Sequence, residues 1–200
     1  KNGTDAMTTC LMTARAQTGR NTILLAEGAY HGANAWFTPG MAGVTDADRA
    51  YQLHYNYNDP QSLKAAVAEA GDDLAGIVVS PFRHDVFVDQ EWPTDEFAHT
   101  ARALCDENNA VLILDDVRCA FRFTLGSTWE TIGVQPDLCA LSKSVATGYA
   151  LAGVTGNDGC RDGASQIYNT GSFLFSAVAF AASLATIDAV ESEGAIEQIG

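Results

Sequence analysis

The stretch VLILDDV (111–117), followed a short way on by LCALSK (138–143), decides how this chain folds. Each begins as a short apolar run and ends abruptly in polar groups: Asp115 and Asp116 in the first, Ser142 and Lys143 in the second. Runs of this kind predict the buried strands of a parallel sheet. In open α/β sheets, ligands collect just beyond the carboxyl ends of the strands. An acid and an amine therefore stand where a site is expected.

The same punctuation recurs on either side. TILLAE (22–27) and LAGIVVS (74–80) are two more apolar runs. QSLKAAVAEAG (61–71) reads as a helix ended by Gly71, and TDEFAHTARALCDENN (94–109) as an amphipathic helix with Thr94 as N-cap. An Ala/Met/Leu-rich helix is expected over about residues 5–18, and TGYALAGVTG (147–156) predicts a further strand. A weak helix near 158–167 and a long one from about 176 to 193 complete the chain. This alternation predicts one α/β domain, a mainly parallel sheet with helices on both faces. Residues 33–60, rich in Gly, Pro, Asn and Tyr, are expected to form a long loop of the lid or interface-arm kind. FLFSAVAFAASLATI (173–187) is shorter than the roughly 20 apolar residues a bilayer needs, so a buried helix is expected there.

Composition excludes some functions. A net charge of −14 speaks against nucleic acid or an anionic membrane surface as partner. The five cysteines (10, 105, 119, 139, 160) are odd in number, widely spaced and form no CxxC. They read as reduced buried thiols of a cytoplasmic protein, with no metal-ligand set.

Lys143 and Asp115 point to chemistry. An amine that must act as a nucleophile and a carboxylate that must stay ionised are the equipment of a pyridoxal phosphate (PLP) enzyme. The lysine forms the Schiff base, and the aspartate holds the proton on the pyridine nitrogen. Either residue alone reads equally as a solvated charge or a turn cap. The chain has three lysines, however, and this one follows a buried-looking strand. Asn2-Gly3-Thr4-Asp5 ahead of a helix is either a phosphate site or a plain N-cap. Tyr30-His31, between Gly28 and Gly32, is either an aromatic laid on a planar ligand or a core Tyr with a capping His. Arg83, His84 and Asp85 offer an anion site or a solvated turn. No G-x-G-x-x-G follows any strand, which argues against a dinucleotide fold.

Six motifs stand in an order that resembles the class III aminotransferases, which are fold-type I PLP enzymes. They are NGTDA (2–6), GAYHG (28–32), ILDDVRCAFR (113–122), PDL (136–138), SKSVATGY (142–149) and GSF with its following helix (171–190). AFR (120–122) and NYND (56–59) resemble most the branch containing glutamate-1-semialdehyde aminomutase. The resemblance covers essentially all 200 residues. It implies the PLP-binding large domain of a longer protein, whose N-terminal segment and C-terminal small domain lie outside residues 1–200.

The resemblance also implies roles. Lys143 would bind the cofactor and shuttle a proton, and Asp115 would pair with the ring nitrogen. Tyr30 would stack on one ring face, with His31 beside it and Val117 packed on the other face. Gly3 and Thr4 would hold the phosphate. Ser172 would reach the phosphate of the neighbouring subunit, which implies a homodimer with shared sites. The substrates implied are small amine or amino acid donors and keto acceptors. Apart from the resemblance, Arg83, Arg118 and Arg122 are the available carboxylate-binding candidates, with a structural role the more common reading of each. Residues 38–50 and 82–90 depart from the aminomutase pattern. The implied activity is therefore amino transfer, with an aminomutase and an inactive PLP-binding protein as alternatives.

Overall fold

The computed structural model describes residues 1–83, 85 and 88–199. Helix α1 (Gly3–Thr18) leads through a left-handed Gly19 into β1 (Thr22–Ala26). A short helix α2 (Asp46–Arg49) precedes β2 (Gln52–Tyr55), and α3 (Pro60–Ala70) precedes β3 (Leu74–Val79). Helix α4 (Asp95–Asn108) precedes β4 (Val111–Asp115), with β5 (Leu138–Leu141) and β6 (Gly153–Gly156) after it. The chain then forms α5 (Arg161–Gln166), α6 (Ala177–Ser192) and α7 (Ala195–Ile199). The six strands lie in the order β2-β1-β3-β4-β5-β6. All neighbours pair in parallel except β5 and β6.

Alternation along the strands divides the core between two faces. Leu24, Ile77, Leu112 and Leu114 turn toward α3 and α4, packing with Leu63, Phe97 and Trp129. Ile23, Leu25, Val78, Val111 and Ile113 turn toward α1, packing with Met7, Cys10 and Leu11. This parity is what aims the site. Asp115 continues the Ile113 side, toward α1, whereas Asp116 continues the Leu114 side, toward Trp129.

Three expectations need correction. Residues 33–60 are not one loop: they contain α2 and β2, and β2 pairs with β1 from Ile23↔Gln52 to Ala26↔Tyr55. Its polar residues Gln52 and His54 belong to an edge strand with a wet side, which disguises the alternation. The strand expected over 147–156 is shortened to Gly153–Gly156 and runs antiparallel. The apolar segment 173–187 is not a buried helix. Of α6, Ala179 and Ser183 are buried, while Val178 (62%) and Leu184 (64%) stand open, as does Phe175 (81%) just before the helix. High apolar content shows that a surface is suited to burial, not which neighbour buries it. His84 lies outside the described residues. Arg83 pairs with Asp85 at 2.8 Å. Among the described residues, no helix is long and apolar enough to cross a membrane.

Candidate active site

The carboxyl ends of β1, β4 and β5 and the amino end of α1 surround a cavity of about 680 Å³. Register brings its two charged groups close: Asp115 pairs across the sheet with Ala140, three positions before Lys143. Lys143 opens a single 3-10 turn, Lys143–Ala146, with φ of +50°. A non-glycine residue in the left-handed region is uncommon and costs free energy, so surrounding bonds must hold it. Ser144 Oγ donates to the Ala120 carbonyl, and Ser142 Oγ donates to the Leu151 carbonyl at 2.9 Å. These bonds pin the lysine turn to the segment after β4 and to the approach to β6.

Asp115 is buried, and each of its oxygens has a partner. Its Oδ1 accepts from the Val117 amide at 3.2 Å, and its Oδ2 lies 2.7 Å from His31 Nδ1. The imidazole is itself buried, and its Nε2 has no hydrogen-bond partner among the described residues. Asp116 points the other way, accepting from the Thr128 amide (2.8 Å) and from Thr128 Oγ1 (2.6 Å). Burial pushes the Asp116 carboxyl above its ordinary range, the Thr128 bonds oppose this, and the charge of Asp115 adds to the rise.

The amino end of α1 completes the cavity. Asn2 caps the helix by accepting from the Asp5 amide at 3.1 Å, which leaves the first-turn amides of Gly3 and Thr4 facing the opening. Thr4 Oγ1 accepts from the Ala33 amide at 3.0 Å, and Asn34 Nδ2 donates to Thr8 Oγ1 at 2.8 Å. The loop after β1 is thereby laced to the helix. Close packing leaves no room for side chains here. A Cβ on Gly3 would sit 2.8 Å from Val117 Cγ1, and one on Gly32, at φ +149°, would sit 3.1 Å from Thr4.

Gly3, Thr4, Tyr30, His31, Asp115, Val117 and Lys143 thus border one cavity, with Tyr30 47% exposed on its wall. Ser172 does not join them; it lies on the exposed turn before α6. Asn34, Ser142, Tyr149 and Leu151 also line the cavity and were not singled out from the sequence. The motif SKSVATGY contains Tyr149 and so carried a signal for it; Asn34 and Leu151 had none.

The family model for the class-III aminotransferases matches residues 1–200. The chain belongs to that family. It is 45% identical over 199 residues to the aminopentol aminotransferase of Sphingopyxis macrogoltabida, covering 100% of this chain and 47% of that one. It is 31% identical over 213 residues to the glutamate-1-semialdehyde 2,1-aminomutase of Neisseria gonorrhoeae, covering 99% and 50%. A solved structure described as the PLP internal aldimine form of the FumI protein of Sphingopyxis sp. MTA144 superposes with a TM-score of 0.94. That pair is 46% identical, over 96% of this chain and 46% of the other. The fold is the α/β fold of the fold-type I PLP-dependent transferases. The chain spans about half the length of the curated relatives it matches.

Proposed function

We propose that residues 1–200 are the cofactor-binding large domain of a PLP-dependent aminotransferase. The observation that carries this reading is the convergence of Lys143, Asp115 and the open first turn of α1 on one cavity. The donor set suits the cofactor. First-turn amides and the helix dipole favour a phosphate. A carboxylate held by His31 and a backbone amide suits a protonated ring nitrogen. Gly3 packs on Val117 and Gly32 on Thr4 with no room for a Cβ, which brings the start of α1, the loop after β1 and the end of β4 together around the cavity.

Bound there, PLP would supply an electron sink for the carbon that loses a proton. The chain's own residues do the rest. Lys143 would hold the cofactor, and its amine would be the group placed to carry a proton beside the reacting carbon. Asp115 would hold the proton on the ring nitrogen, and His31 holds Asp115 in place. Gly3 and Thr4 would hold the phosphate, and Tyr30 and Val117 would supply cavity wall for the ring. In the net reaction an amino group and a hydrogen pass from the donor carbon to the acceptor carbon, and the carbonyl oxygen passes the other way.

A homodimer with shared sites is part of the proposal. Its support is the open apolar face of α6 and the placement of Ser172 on the exposed turn leading to it, outside the chain's own cavity. A cytoplasmic setting rests on the five buried, unpaired thiols.

A screen of amine donors against keto acceptors on PLP-loaded full-length protein tests the function. We expect amino transfer between different molecules, lost in Lys143→Ala. The aminomutase relative gives a second reading, in which the amine returns to the same skeleton. Nitrogen-15 from a labelled donor appearing in a separate acceptor supports transfer; retention within one skeleton supports the mutase.

A further inference from the structure

A second cavity, of about 560 Å³, adjoins the first and shares Arg118 and Lys143 with it. One wall is an aromatic rail. The Phe82 and Trp92 ring centroids lie 5.7 Å apart, and Trp92 meets Phe123 edge-on at 5.0 Å. Arg118 and Arg122 supply the charge. Arg122 Nε donates to the Arg118 carbonyl at 2.8 Å, which uses one of its five donors and ties the two residues into one turn.

Neither guanidinium has a carboxylate partner among the described residues. Arg15, Arg20 and Arg49 also lack one, but each donates to backbone carbonyl oxygen and none lines this cavity. Arg83 is committed to Asp85, and Arg102 to Asp106 and Asp137. Glu91 is the acid that also lines this cavity, and its carboxylate accepts from Asn58 Nδ2 at 2.5 Å. Two arginines are therefore available beside an apolar wall, next to the lysine.

We infer that this cavity holds the acceptor as a keto acid bearing an aryl or extended apolar chain. Its carboxylate sits on Arg118 and Arg122, and its chain lies along Phe82, Trp92 and Phe123. The planar guanidinium fork matches a carboxylate, and an aromatic wall holds flat apolar groups. Arg122 borders this cavity and not the first, so it serves the substrate rather than the cofactor. The inference rests on the amino-transfer reading and names the acceptor class for that same lysine.

The test uses PLP-loaded full-length protein and a matched pair of acceptors, 4-phenyl-2-oxobutanoate and 3-phenylpropanal, which differ by the carboxylate. In Arg122→Gln we expect the ratio of kcat/KM for the keto acid over that for the aldehyde to fall about tenfold or more, and Arg122→Lys to recover part of it. A second readout needs no turnover. Binding of 4-phenylbutyrate should perturb tryptophan emission through Trp92, with Kd raised about tenfold or more in Arg122→Gln. An unchanged ratio together with an unchanged Kd overturns the carboxylate site, even if PLP is bound at Lys143. If instead PLP is not bound at Lys143, the underlying reading fails, and the emission titration still decides the carboxylate site by itself.

Discussion

His31 and Asp115, 84 positions apart in sequence, meet in the interior with Nδ1 of the imidazole 2.7 Å from Oδ2 of the carboxylate. A carboxylate can only accept, so the imidazole tautomer with Nδ1–H donates here and fixes which way the carboxylate faces. Removing that donor should leave a cavity that still binds PLP but holds Asp115 loosely. A hydrogen bond to a charged group contributes about 1.5–3 kcal/mol. For His31→Leu we expect visible absorbance from bound cofactor to persist while single-turnover proton abstraction slows about tenfold or more. A wild-type rate in His31→Leu would remove His31 from the site.

Gly3 and Val117 form the second relationship that can be tested. A methyl on Gly3 would lie 2.8 Å from Val117 Cγ1, closer than carbon atoms tolerate. Overpacking of this kind costs about 1–3 kcal/mol. Gly3→Ala should weaken PLP binding, read by equilibrium dialysis, because the displaced valine shifts the cavity wall. Val117→Ala in the same chain should restore part of the affinity by making room. A double variant no better than Gly3→Ala alone would mean that the glycine acts through its backbone and not through this contact.

Much of this was legible in the sequence, for identifiable reasons. The runs VLIL and LCAL are apolar because both sheet faces are covered, so their strands and abrupt polar ends could be read directly. Period two along β4 then sends Asp115 and Asp116 to opposite sides. The His31–Asp115 bond was not legible, since nothing local links residues so far apart. Strand β2 was hidden because half of an edge strand faces water. The face of α6 was misjudged because apolar content carries no information about its neighbour.

Asp116 makes stability depend on pH in a defined direction. Its carboxyl is held above the ordinary range, chiefly by burial, so the folded state binds its proton more tightly than the unfolded state does. By linkage, this group's contribution is greatest below the unfolded value, about 3.9, and is lost as pH rises through the raised folded value. Asp116→Asn lacks that titration. Urea unfolding of both proteins across mildly acidic to neutral pH should show the wild type losing stability relative to Asp116→Asn as pH rises through this window. A stability difference independent of pH would contradict the account of this buried acid.

The central claim is that Lys143 carries the cofactor, and one measurement addresses it most directly. Full-length protein loaded with PLP is reduced with borohydride, digested, and its peptides are mapped by mass spectrometry. A pyridoxyl-phosphate adduct is expected on the peptide that contains Lys143, and it should disappear in Lys143→Ala. An adduct at Lys64 or any other lysine, with Lys143 unmodified, would contradict it.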